Sequence, residues 1–315
     1  MTSPVHRFIT VADTFGDASA STVERAALQR QTGLGPLQSP QARTAKAADR
    51  RNPIVLLAHG GTDGPILPLL AEGMASALEG SKAVFALQQL NGSADEMAAF
   101  LDLHRPAGVV LAPGLRDAAA LADVCHARTV SCIRLGAASG EDGFSCDERD
   151  AAATLVRQII ALGHSRVGLV AGQDGSASAA RRELGYMDAI AEQGLDRGPI
   201  LIVPGDGSFE SGIAAGRLLL EISPRPTAIF ACNDEMAAGV LHAAAQAGIA
   251  VPAGLSVAGF DDTPLAARTL PALTTVEIPW PHIARQAVRH LARRAPANLK
   301  FDAKIVMRDS VQPPG

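Results

Sequence analysis

The sequence predicts an α/β protein made of two similar half-domains, each a parallel sheet flanked by helices. Three observations carry this. From Pro53 onward, short aliphatic runs alternate with Ala-rich helical stretches, the rhythm of β-α-β units. Only 3% of residues are aromatic while 47% are hydrophobic, so the interior is built from small aliphatic side chains, which suits helices lying closely on parallel sheets. A polar, Gly-containing stretch from Arg134 to Ala151 divides four strand-helix pairs from the next four. A length of 315 residues agrees with about two domains.

Taken in order, the strands read as Ile54 to Ala58, Lys82 to Gln88, Gly108 to Ala112, Ser131 to Leu135, Arg166 to Ala171, Ile200 to Val203, Ala228 to Cys232 and Leu255 to Gly259. Between them lie amphipathic helices over Pro65 to Glu79, Asp95 to His104, Arg149 to Leu162, Ala177 to Gln193, Phe209 to Leu220 and Asp234 to Gln246, each long enough for a right-handed crossover. Open parallel sheets bind ligands outside the carboxyl ends of their strands. Candidate ligand-contacting positions are therefore His59 to Asp63, Gln89 to Asn91, Pro113 to Leu115, Gln173 to Ser176, Asn233, and Asp261 to Thr263.

Charge is uneven. The whole chain carries -4, which gives no global signal for nucleic acid, but residues 1 to 52 hold seven basic and four acidic side chains and so a net +3. The stretch from Gly33 to Asn52, rich in Pro, Gln, Ser and Ala, has no apolar periodicity and reads as a linker. Cys125, Cys132, Cys146 and Cys232 lack metal-ligand spacing and are expected as buried reduced thiols, so no metal or other cofactor is called for. The opening residues contain no apolar run of signal-peptide length, and no run of about 18 apolar residues occurs, so a cytoplasmic protein without membrane contact is expected. Catalysis is not expected either. Gly172 to Ser176 (GQDGS) lacks the lysine of a phosphate-binding loop, and the adjacent Asp261 and Asp262 on a turn do not converge on one centre.

Several runs resemble one family. Ala161 to Gly172 (ALGHSRVGLVAG), Arg182 to Tyr186 (RELGY), Gly205 to Gly212 (GDGSFESG), Arg225 to Gly239 (RPTAIFACNDEMAAG), Val251 to Pro264 (VPAGLSVAGFDDTP), Pro271 to Pro279 (PALTTVEIP) and Ile305 to Pro313 (IVMRDSVQP) are similar, in order and spacing, to the sensor domain of LacI/GalR repressors. The resemblance implies a periplasmic-binding-protein-like type I fold, two Rossmann-like subdomains joined by three crossing segments with an effector between them. It implies a first lobe of residues 53-159 plus 280-300 and a second of 160-279 plus 301-313. It also carries Asp147, Arg182, Asn233 and Asp261 onto effector-contacting positions. Two carboxylates, a carboxamide and a guanidinium suit a polyhydroxylated, carbohydrate-like ligand. Three of them have a structural reading beside this one: Asn233 as an N-cap, Asp261 as part of a turn, Arg182 as half of an exposed helical ion pair. Glu148 stands where the family usually has Asn. After the first strand the family has an aromatic turn, whereas this chain reads HGGTDGPIL, so His59, Thr62 and Asp63 are expected to supply polar contacts instead of a ring.

The same resemblance implies a short helical DNA-binding segment at residues 1-38 and a hinge at 39-52. Ile9 to Gly16 resembles the first helix of a helix-turn-helix and Thr22 to Pro36 the third, while only Asp17 to Ser21 stands where the recognition helix belongs. Arg25, Arg43 and Lys46 are the candidate phosphate contacts, and Ala45 replaces the leucine with which family members wedge the minor groove. The expected function is an effector-responsive DNA-binding repressor acting as a homodimer on an operator. Open alternatives are a sensor that no longer reads DNA sequence and a cytosolic solute-binding protein.

Overall fold

The computed structural model describes residues 53-315 apart from 91, 137-142, 196-200 and 294-297. The segments 1-38 and 39-52, and with them Arg25, Arg43 and Lys46, lie outside the described residues. Two all-parallel sheets organise the rest. The first contains β1 (Ile54–His59), β2 (Val84–Gln89), β3 (Gly108–Leu111), β4 (Cys132–Leu135), β5 (Gly143–Cys146) and β11 (Asn298–Phe301), in the order β11-β5-β4-β3-β1-β2. The second contains β6 (Val167–Ala171), β7 (Ile202–Pro204), β8 (Ala228–Ala231) and β9 (Ser256–Ala258), in the order β7-β6-β8-β9. A short antiparallel pair, β10 (Thr275–Glu277) with β12 (Lys304–Val306), lies beside the second sheet, held to it by bridges from Thr274 to Ala258 and from Glu277 to Asp261. The chain passes between the sheets three times, after β5, after β10 and after β11.

All eight expected strands form. The interior ones, β3, β6 and β8, are buried at every residue, as continuous apolar runs in a sheet covered on both faces should be. In the first sheet the two-residue alternation sorts Val55, Leu57 and Val110 to one face and Leu56, Val109 and Leu111 to the other, so that separate apolar clusters form on the two sides. The expected helices form as α1 (Leu67–Leu78), α2 (Ala94–His104), α4 (Glu148–Ala161), α5 (Ala177–Glu192), α6 (Phe209–Glu221) and α7 (Asp234–Gln246). Four begin at a Ser or Asn whose side chain accepts a backbone N–H three residues on: Ser93 from Glu96, Ser176 from Ala179, Ser208 from Ser211, Asn233 from Met236.

Elements also appear where none was expected. Strand β5 lies inside the Arg134 to Ala151 stretch that read as a polar divider, pairing with β4 and β11. Helices α3 (Ala118–Ala127) and α8 (Trp280–Arg293) complete the first sheet's two faces.

The scarcity of aromatic residues is explained at the helix contacts. A Cβ added to Gly212 would meet the backbone of Met236, and one added to Gly239 would meet Phe209 and Ile213, so α6 and α7 touch backbone to backbone. Helix α4 approaches α5 in the same way at Gly185, against Arg149 and Ala153, and α1 approaches α8 at Gly73, against Pro281. Larger polar side chains inside this packing are satisfied locally. The only tyrosine, Tyr186, is buried and donates to the carbonyl of Val167 at 2.8 Å. His164 is within 2.8 Å of the Gln312 carbonyl through Nε2 and within 2.9 Å of the Thr227 hydroxyl through Nδ1. A carbonyl only accepts, so Nε2 carries the proton, and burial holds the ring below the usual imidazole range. All four cysteines are free thiols, and burial pushes those of Cys146 and Cys232 up to about 12, which keeps them protonated and unreactive.

Replacing Gly212 by Ala is expected to cost about 1–3 kcal/mol, since a methyl group must be forced against facing backbone rather than against a movable side chain. Thermal unfolding followed by circular dichroism reads this directly. A melting temperature equal to that of the parent would mean that α6 and α7 separate freely.

Candidate functional site

The carboxyl ends of strands from both sheets face one cleft. From the first sheet it receives Asp63 after β1 and Pro113 and Gly114 after β3; from the second, Gln173 and Ser176 after β6, Asp206 after β7, Asn233 after β8 and Asp261 after β9. Trp280, the only tryptophan, forms part of the wall at the start of α8.

Arg182 lies at the centre. It occupies the inward face of α5 and is buried, so its charge requires partners. Nε donates to Glu148 at 2.8 Å, Nη2 to one oxygen of Asp261 at 2.8 Å, and Nη1 to the other oxygen at 3.1 Å and to the carbonyl of Cys232 at 2.6 Å. Its guanidinium also stacks over Phe260, 4.1 Å from the ring centre. Glu148 is 1% exposed and shared: its second oxygen accepts from Arg181 at 3.1 Å and from Ser178 at 3.0 Å. Burial acts to raise the Glu148 carboxyl, but the two guanidinium groups outweigh it and hold the group below its usual range. Burial raises Asp261, and the charge of Arg182 offsets this in part. Asp261 is also held at φ +101°, a conformation that side-chain-bearing residues rarely adopt and that costs about 1–3 kcal/mol. The Asp261 N–H bonded to Val276 and the forked grip of Arg182 keep it there.

The other expected residues separate into two groups. Asn233 lines the cleft and is the N-cap of α7, its Oδ1 accepting from Met236 at 2.8 Å and its Nδ2 donating to Gly207 at 2.8 Å, so the two readings coincide. Asp63 lines it too, but both oxygens are occupied by the N–H groups of Gly60 at 2.8 Å and Gly114 at 2.7 Å, tying the loop after β1 to the loop after β3. His59 and Asp147 are not brought to the cleft. The imidazole of His59 lies 3.0 Å from the carbonyl of Gly60, and Asp147 faces outward, capping α4 and paired with Lys300 at 2.9 Å, which holds its carboxyl below the usual range. Successive helical residues diverge by about 100°. Asp147 thus turns outward where Glu148 turns in.

Glu148 and Trp280 are the residues that sequence reasoning passed over. A signal existed for each: Glu148 is the acid next to the one chosen, and Trp280 is a lone indole directly after an interlobe passage. Trp280 also supplies the ring that the HGGTDGPIL turn lacks. Its buried indole N–H is close enough to the Asp261 carboxyl to help hold that group down, though not in the geometry of a well-formed hydrogen bond.

Behind the cleft, Asp234 fastens the second sheet to the β10 passage. It accepts from the Thr263 N–H at 2.7 Å, the Thr263 hydroxyl at 3.0 Å and the Thr275 hydroxyl at 2.6 Å. Burial pushes its carboxyl up to about 7 despite these bonds. Among the described residues no group of three His, Cys, Asp or Glu side chains could hold a metal ion, and no helix is long and apolar enough to cross a membrane.

Two outcomes are expected. Arg182→Met leaves Asp261 buried without its cation and Glu148 with Arg181 alone, and should lose about 3–5 kcal/mol in urea denaturation. Adding Glu148→Gln and Asp261→Asn should restore much of this, and no recovery would mean that charge is not what holds the network. For Asp234, the folded value lies above the unfolded one, so its stabilising contribution is complete below about pH 4 and is lost as pH rises to about 7. The melting temperature of the parent should therefore fall relative to that of Asp234→Asn between about pH 5 and about pH 8. A difference that stays constant with pH would contradict a protonated Asp234.

Comparison with known proteins agrees with this architecture. Residues 156–311 match the model of the periplasmic binding protein-like domain. The chain is 33% identical over 288 residues to the HTH-type transcriptional regulator MalR of Streptomyces coelicolor, covering 84% of this chain and 81% of that one. It is 32% identical over 174 residues to the HTH-type transcriptional regulator AscG of Escherichia coli, covering 54% of this chain and 52% of that one, so here the match spans about half of the relative. The structure of the transcriptional regulator CelR-cellobiose complex superposes with a TM-score of 0.73 at 24% identity, covering 93% of this chain and 92% of that one, which bears on the fold. The relatives are regulators rather than enzymes. One-third identity to MalR across four-fifths of that protein, with the motifs in family order on a pair of parallel sheets, places the chain in the LacI/GalR family of transcriptional regulators.

Proposed function

We propose that this chain is a cytoplasmic, non-catalytic repressor that binds an operator as a homodimer and responds to a small hydroxyl-rich effector held between its lobes. The observation that carries the reading is the buried Glu148, Arg182, Asp261 network opening onto a cleft that also receives Asn233 and the Trp280 ring. Such a site offers oriented donors and acceptors for hydroxyl groups and a flat apolar surface for a sugar ring. CelR, named above in complex with cellobiose, is a relative in fold with a carbohydrate ligand.

The network lies where the chain passes between lobes. Glu148 begins the helix after β5, Asp261 bridges to Glu277 on β10, and Trp280 follows at once. An effector with different affinity for two lobe angles would shift their equilibrium by that difference and no more. We divide the chain into 1-38 as a DNA-binding segment, 39-52 as a hinge, 53-159 with 280-300 as the first lobe and 160-279 with 301-313 as the second. A change of lobe angle then alters the spacing of two hinge segments in a dimer, and Arg25, Arg43 and Lys46 contact phosphates.

Selection of fragmented genomic DNA by the full chain and by a truncation starting at Pro53, at two salt concentrations, tests the DNA half of the proposal. An enriched motif lost on truncation is expected. Binding without a motif that fades uniformly with salt would favour instead a sensor that no longer reads sequence, the reading suggested by the five residues Asp17 to Ser21 where a recognition helix belongs. Sedimentation at micromolar concentration should show a dimer.

A further inference from the structure

Two of the four cysteines stand beside each other. Cys125 is fully buried in the last turn of α3, and Cys132, partly exposed, is the first residue of β4; their thiols are hydrogen-bonded to each other. The local fold brings them together. The Val130 N–H bonds back to the Cys125 carbonyl at 3.0 Å and the Thr129 N–H to the His126 carbonyl at 2.9 Å, with Thr129 at φ +56°, so α3 ends in a Schellman turn. That turn sends the chain back past the helix end, and Cys132 enters the sheet there opposite Val109 of β3. Both residues pack in the apolar cluster on that face of the first sheet, with Met97, Leu101 and Leu121.

The pair differs chemically from the other two thiols. Burial pushes Cys146 and Cys232 up to about 12. At Cys125 the hydrogen bond from Cys132 outweighs burial and, with the charge of Arg128 nearby, holds the thiol below its usual value. Arg128 is itself fixed by Asp102 at 2.9 Å. The same shared hydrogen bond, reinforced by burial, holds Cys132 well above the usual thiol value. One sulfur is thus the readier thiolate, and the other is the one that solvent reaches.

We infer that Cys125 and Cys132 form a reversible disulfide, a redox modification site on the first lobe that is addressed by small organic disulfides. Cys132 attacks one sulfur of the reagent, and the reagent's other half leaves as a thiol carrying the Cys132 proton. Cys125 then attacks the Cys132 sulfur. The bond between the two cysteines forms as the bond to the reagent's remaining half breaks, and that half takes the Cys125 proton. Two electrons pass from the protein to the reagent, which departs as two thiols. The new bond ties the C-terminal end of α3 to the start of β4, and α3 follows the loop that carries Pro113 and Gly114 to the cleft wall. The inference depends neither on the effector nor on DNA, so it stands or falls apart from the proposed function.

The full chain, incubated with oxidised glutathione, quenched in acid, then denatured and labelled with N-ethylmaleimide, tests it by intact mass and peptide mapping. The reduced chain takes four labels, one per cysteine. The oxidised chain is expected to take two, on Cys146 and Cys232, with Cys125 joined to Cys132 and both thiols regained in dithiothreitol. Cys125→Ala removes the resolving sulfur, so glutathione should stay attached to Cys132. In Cys132→Ser neither the bond nor an adduct on the buried Cys125 should form. The label count of the parent decides the pairing by itself, whether or not a substitution at the buried Cys125 site folds. Four labels after oxidation, a glutathione adduct that persists on Cys132 of the parent, an adduct on Cys125 in Cys132→Ser, or loss of label from Cys146 or Cys232 ahead of the pair overturns the inference.

Discussion

A single buried guanidinium organises the centre of this molecule. Arg182 is surrounded by groups from separate stretches of chain: Glu148 from the first interlobe passage, the Cys232 carbonyl from the end of β8, and Asp261 from the end of β9. A charge in that position is costly unless its partners are fixed, and a fixed set of partners in turn fixes the ends of the elements that carry them. The strained backbone of Asp261 is tolerated for this reason. So is a fully buried glutamate, which stays ionised because two cations share it.

The surrounding packing makes this arrangement possible. Helices that touch at Gly212, Gly239 and Gly185 leave no slack between α6 and α7 or between α4 and α5, so residues at their ends hold position without large side chains. An interior poor in aromatic rings is often a weak one, but here close backbone approach replaces ring volume. The few rings present do specific work: Tyr186 anchors α5 to β6, Phe260 lies under Arg182, and Trp280 forms cleft wall.

How far the sequence revealed this depended on the signal each residue left. Strands such as Gly108 to Ala112 and capped helices such as that after Asn233 were legible because burial on two faces and a capping side chain both leave marks in sequence. Helix α3 was not, since its Ala-rich run starts at a left-handed, uncapped Asp117; nor was β5, four residues among polar neighbours. Helix α8 had a usable pattern in Ile283, Ala287 and Leu291, all buried, but its Trp-Pro start directly after a strand disguised it. In the cleft, Arg182, Asn233, Asp261 and Asp63 were found by their place after strands or in family motifs. Asp147 was chosen over Glu148 because adjacent acids look alike until the helix direction is known, and His59 because a loop position does not reveal which way its ring turns.

The tie from Asp63 to Gly60 and Gly114 has a mechanical side. With both carboxylate oxygens engaged, the loops after β1 and β3 cannot shift separately, so the first-sheet wall of the cleft behaves as one rigid jaw. That jaw is the far end of β1, a buried strand of six residues, about 20 Å long at roughly 3.3 Å per residue. The near end of β1 begins at Ile54, which in the sequence follows the basic pair Arg50 and Arg51, then Asn52 and Pro53. A push on the jaw therefore travels the length of β1 as along a stiff rod and is felt at the opposite edge of the first sheet.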